Sequence, residues 1–202
     1  MTRPQCWLFA FLLCLPFAGS AHAQIEAGFL GKRYADASLF IEDLRHGTVS
    51  NGLGLELHGN IPLTSYLDAS ANISYEKFNN YSISDQRIGG SLIGYADLDT
   101  WKPFLELTVA NTNQSSTVEG VKYTSSKGYW TAGAGIEAPV TRSTAIFGLA
   151  ARSEYFDRKL ASYWTYKFGV NTWFTQKIGG VLAVSFFKNE SITYSVGVAY
   201  RF

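Results

Sequence analysis

The chain has two cysteines, Cys6 and Cys14, and both lie in its first 23 residues. If that stretch is removed, no thiol is left, which excludes a disulfide framework and any thiolate metal site. After Ala23 there is no apolar run of the roughly 20 residues a spanning helix needs. Excess charge is also lacking: 17 basic against 16 acidic residues argues against a nucleic-acid partner, whose binders carry a basic surplus. With three histidines and no ligand spacing among them, no metal centre or cofactor is expected. No helical periodicity of useful length appears.

The first 23 residues carry one basic residue, Arg3, then an apolar run from Cys6 to Ala18, then Ala21-His22-Ala23. A short apolar core followed by a small-x-small site is the pattern of a secretory signal peptide, with cleavage expected before Gln24. The run is too short for a membrane anchor and lacks a basic stop-transfer flank. Residues 24–202 then form one domain with balanced charge.

Aromatics and glycine are abundant instead: 14 Phe, 12 Tyr, 5 Trp and 19 Gly, at a mean hydropathy of −0.01. Apolar and polar residues alternate in ten segments, 34–42, 52–61, 67–78, 87–98, 103–111, 129–140, 145–156, 163–174, 178–188 and 192–202. In 163–174, for example, Trp164, Tyr166, Phe168 and Val170 oppose Lys167, Gly169 and Asn171. Short connections (62–66, 99–102, 141–144, 175–177) alternate with mostly longer polar ones, of which 111–127 is the longest. Each segment is close to the roughly 9–11 residues a tilted strand needs to cross a bilayer. The expected fold is therefore all-β, a closed antiparallel transmembrane β-barrel of ten strands. Eight is the count if the first hairpin, 34–61, is misread. An even count puts both termini on the short-turn, periplasmic side. A soluble β-sandwich would need a second sheet to cover faces as aromatic as that of 163–174. Tyr75, Trp130, Tyr155, Trp164 and Tyr200 are placed as interfacial aromatics.

The chain ends in "YSVGVAYRF", which resembles the C-terminal strand of bacterial outer-membrane barrels. The stretches "YADASLFIED", "NIPLTSYLD" and "WKPFLELTVAN" likewise resemble a family of small outer-membrane β-barrel domain proteins, loosely called porin-like. The resemblance implies location in the cell outer membrane, contact with its lipid, and recognition by the barrel-assembly machinery through Phe202, Tyr200, Val198, Val196 and Tyr194.

Charged side chains in a membrane zone avoid lipid. Strand parity therefore assigns to the lumen Asp36, Glu56, His58, Glu76, Arg87, Glu106, Glu137, Arg152, Glu154, Lys167 and Arg201, together with the polar Ser38, Asn60, Asp68, Asn72 and Asn171. Glycines and serines of the same face, among them Gly54, Gly135, Gly148 and Gly169, are expected to leave room for solute or to accommodate neighbouring long side chains. No catalytic set is expected. The chain is too short for the extended strands of omptin-type proteases, and His58 with Glu56 faces away from the lipid surface where a lipid A deacylase works. The leading expectation is porin-like passive permeation of small solutes through a narrow charged lumen. The alternative is a non-conducting structural or surface-interaction barrel, with ligands held at loops such as 112–126.

Overall fold

The computed structural model describes residues 26–44, 51–78, 83–118, 121–157, 159–187 and 191–202. The expected signal segment and His46 lie outside them. Ten antiparallel strands are present: β1 Tyr34–Leu44, β2 Asn51–Pro62, β3 Leu67–Phe78, β4 Ile83–Tyr95, β5 Lys102–Val118, β6 Val121–Pro139, β7 Thr144–Tyr155, β8 Tyr163–Trp173, β9 Ile178–Phe187 and β10 Ser191–Arg201. Each pairs with its sequence neighbours, and β1 closes on β10 with Ala35 opposite Tyr200 and Leu39 opposite Val196. The barrel thus has no sheet edge along its wall, so the wall's backbone groups are paired without water. The start of β1 and the end of β10 meet at the short-turn end, where Arg201 N–H donates to the Lys177 carbonyl (2.7 Å) and Phe202 N–H to that of Arg33 (3.4 Å).

The pleat sorts the side chains into two sets. Leu39, Ile41, Leu53, Leu55, Leu57, Leu105, Leu107, Phe168 and Val198 point outward and are exposed, Leu105 at 68%. Such a continuous apolar belt is unstable in water and fits a lipid surface. Glu42, Asn60, Asp68, Glu76 and Glu137 are on the inner face, buried.

Several expectations are corrected. The long polar connection 111–127 is not a loop: β5 and β6 run through it as a hairpin, paired from Thr112–Lys127 up to Val118–Val121. The Ser/Thr-rich run carries no apolar alternation to mark it, yet antiparallel backbone pairing holds it without a buried face. Arg152 and Glu154 are on the outer face of β7, not in the lumen. Their neighbours Ala151 and Ser153 are buried inward, while Arg152 forms a 2.9 Å ion pair with Glu154 at the long-loop end. Tyr155 correspondingly points inward, against Tyr129 (5.8 Å) and Tyr163 (6.2 Å), and so is not an interfacial anchor. β7 is apolar on both faces, with Phe147 and Leu149 inward and Ile146 outward, so its sequence does not define the parity.

The inward glycines have a packing reason. A Cβ on Gly54 would stand 2.1 Å from the Phe40 ring, on Gly135 2.3 Å from Phe104, and on Gly169 2.4 Å from Phe147. Each of these three phenylalanines lies across a glycine of a neighbouring strand, so the space those glycines leave is filled by rings lying along the wall. Gly148 is on the outer face, beside Phe168.

Candidate functional site: the lumen and its floor

Residues 26–33 carry no alternation, and they do not extend the barrel. They turn into its short-turn end. Gly28 and Gly31 adopt φ of +86° and +77°, a left-handed conformation that glycine takes without steric cost. The turns aim successive backbone N–H groups at two buried carboxylates, an anion-cradling arrangement made from main chain. Phe29 N–H donates to Glu137 Oε2 (2.8 Å), Leu30 N–H to Glu137 Oε1 (3.3 Å), and Gly31 N–H to Asp68 Oδ2 (2.8 Å). The same carboxylates are steadied from the wall: Asn171 donates to Glu137 and Asn60 to Asp68, each at 2.9 Å. Trp173 Nε1–H donates to the Gly28 carbonyl (2.9 Å). The Phe29 ring packs 4.5 Å from Tyr34 and 5.0 Å from Trp173, and the Arg201 guanidinium lies 4.1 Å from the indole centroid.

Lys32 completes this floor. It is buried, and its ammonium donates to the carbonyls of Glu26 and Ala27, with the Glu26 carboxylate 3.9 Å away. Burial pulls its pKa down from the ordinary lysine range to about 8, against the opposing pull of Glu26.

Beyond the floor lies a lumenal cavity of about 410 Å³, with Phe29 and Leu30 among its lining residues. Of the sequence-assigned charges, Asp36, Glu56, His58, Arg87, Glu106, Glu137 and Lys167 line it. Asp36 accepts from Ser38 (3.2 Å) and lies 2.9 Å from His58 Nδ1. Arg87 sits among three acids at the long-loop end: its Nε donates to Asp85 (2.8 Å), and a terminal nitrogen lies 3.5 Å from Glu76 and 3.9 Å from Glu42. Thr112 and Ser191 donate hydroxyl protons to Asp85 and Glu42. Glu76 is buried behind this cluster, and Arg201 lies inward at the floor; neither lines the cavity. The structure therefore brings Glu42, Glu76, Asp85 and Arg87 together at one end, and Glu137, Asp68, Asn60, Asn171 and Trp173 at the other.

Parity anticipates the wall residues of the floor, but not the segment that uses them. The missed residues are Gly28, Phe29, Gly31 and Lys32. Their signal was two glycines three apart around an aromatic, next to the first strand. It acquires meaning only from carboxylates 37 and 108 residues away.

A closed antiparallel barrel, apolar outside and charged inside, is the architecture of a transmembrane β-barrel. No family model and no curated protein matches this chain. Among solved structures it is similar to Neisserial surface protein A, at 15% identity and a TM-score of 0.46 over 84% of this chain and 96% of that one. It is similar to the NanC porin at 8% and 0.49, covering 83% and 100%. A third is the attachment invasion locus protein Ail of Yersinia pestis, at 11% and 0.41, covering 86% and 100%. At such identities and TM-scores the likeness says nothing of role.

Proposed function

We propose that this protein is an outer-membrane β-barrel of porin-like type that keeps its narrow lumen shut at the short-turn end with residues 26–32. Small solutes enter the charged cavity from the long-loop side and pass when that segment yields. The observation that carries the reading is the floor itself: two wall carboxylates hold a segment that is no part of the wall. A lumen meant only to be filled has no need of a separate stopper beneath a cavity. The role is binding and passage, without catalysis.

Single-channel recording on the mature chain, residues 24–202, tests this. Brief, infrequent openings are expected, lengthened in the Glu137→Gln variant, whose neutral amide holds the two N–H groups less tightly. A continuously open wild-type channel would show that the segment is no closure. Silence in both proteins, with folding verified, would favour the second reading, a non-conducting surface-interaction barrel. One feature supports that reading: the β6 arm of the β5–β6 hairpin runs past β7, which it meets only from Tyr129 onward, and it leaves Val121 and Tyr123 exposed.

A further inference from the structure

The lumenal charges fall into two groups. Asp36 is joined to His58, Glu137 to the floor segment, and Arg87 to three acids. Three others are different. Glu56 on β2 and Lys167 on β8 form no hydrogen bond or ion pair with any described residue, and Glu106 on β5 accepts only from the Thr108 hydroxyl, at 3.0 Å. All three line the same cavity and are partly exposed to it. Around the closed sheet β2 and β8 are separated by β1, β10 and β9 on one side and by five strands on the other, so Glu56 and Lys167 stand on nearly opposite walls.

A network serving stability alone would pair these groups, as the barrel does at both of its ends. Opposed charges held apart across an open cavity instead present two acceptor sites for cations and one for an anion. The cavity, about 410 Å³, lies at the small end of the roughly 300–1,000 Å³ typical of ligand sites. Its wall between the charges carries hydroxyls, such as Ser70, Ser91 and Thr131, and the flat rings of Phe104 and Phe147.

We propose that the lumen selects small zwitterionic solutes with a surplus positive charge, the dibasic amino acids being the members of that class whose three charges match all three groups. Glu56 and Glu106 receive the two cationic ends, and Lys167 receives the carboxylate. The aliphatic stem lies against the lumenal rings. This rests on the reading that the lumen admits solute from the long-loop side, and it does not require the floor to open.

The test is calorimetric titration of the refolded mature chain, at low ionic strength, with L-lysine, 1,5-diaminopentane, L-glutamate and glycerol. L-lysine is expected to bind at least tenfold tighter than L-glutamate. Glu56→Gln and Glu106→Gln each weaken L-lysine and the diamine alike, by fivefold or more. Lys167→Met weakens L-lysine by a similar factor and does not weaken the diamine, which has no carboxylate to lose and one fewer cation to oppose it. All three groups lack structural partners beyond one hydroxyl, so the variants retain the heat-modifiable gel mobility of a folded barrel. Equal affinity for L-lysine and L-glutamate overturns the proposal, as does a Lys167→Met variant that treats L-lysine and the diamine alike. If the charged solutes do not bind but glycerol crosses the protein in liposome swelling, the selectivity fails and the permeation reading stands. If nothing binds and nothing crosses, both fail.

Discussion

Gly28→Ala is the sharpest perturbation of the floor, because it alters the segment and leaves the barrel wall untouched. Two costs act together. At φ of +86° an L-residue pays about 1–2 kcal/mol in steric strain. The new methyl would also stand 2.3 Å from Glu137 Oε1, a distance no real contact tolerates, so the carboxylate or the segment must move. Moving either weakens the bonds from Phe29 and Leu30 N–H, and a hydrogen bond to a charged group contributes about 1.5–3 kcal/mol. Even with one bond kept, the closed floor loses roughly 3 kcal/mol, about a hundredfold in the closed-to-open ratio. Single-channel recording of wild type and variant, each confirmed as folded by heat-modifiable mobility, should show open probability rising by one to two orders of magnitude. An unchanged open probability in a folded variant would refute the reasoning, since closure would then not depend on the Gly28–Glu137 approach.

Three further outcomes are expected. Lys32 is charged at neutral pH both in the floor and when released, but burial lowers its pKa to about 8 in the floor. The released state therefore holds more protons from about pH 8 up to the ordinary lysine value near 10.5, and closure strengthens as pH rises through that window. Open probability should fall between pH 7.5 and 10, and a Lys32→Met variant should lose that dependence. Arg87→Met leaves the buried Glu42, Glu76 and Asp85 without their shared cation; the guanidinium faces the cavity, so the loss falls below the roughly 3–5 kcal/mol of a fully buried pair, and guanidinium unfolding should show a lower midpoint. Phe202 is 62% exposed and its backbone makes a single long hydrogen bond, so Phe202→Asp should scarcely alter refolding in detergent. Its yield in the outer membrane should nevertheless drop severalfold if the terminal aromatic is an assembly signal, and an unchanged yield would count against that role.

The sequence by itself determined the barrel. Period-2 alternation in ten segments of spanning length fixes strands with one apolar and one polar face. Once both faces exist and no second sheet covers the apolar one, closure follows from the need to pair every backbone group. Lumenal placement of Glu56, Glu106, Lys167 and Asp68 was legible for the same reason, because parity is a local property. It failed at β7, where Phe147 and Leu149 are as apolar as Ile146, so that the side facing lipid was settled by the neighbours' registry and not by the strand. The hairpin over 112–126 was hidden because its pairing is backbone to backbone and leaves no apolar signature.

What the tertiary structure alone decided is which charges have partners and which do not. Glu137 and Lys167 look alike in sequence, as single lumenal charges on polar strand faces. The fold returns residues 28–31 onto Glu137 and places nothing against Lys167. Partnership depends on contacts between residues far apart in the chain, and a one-dimensional pattern with a period of two does not encode them.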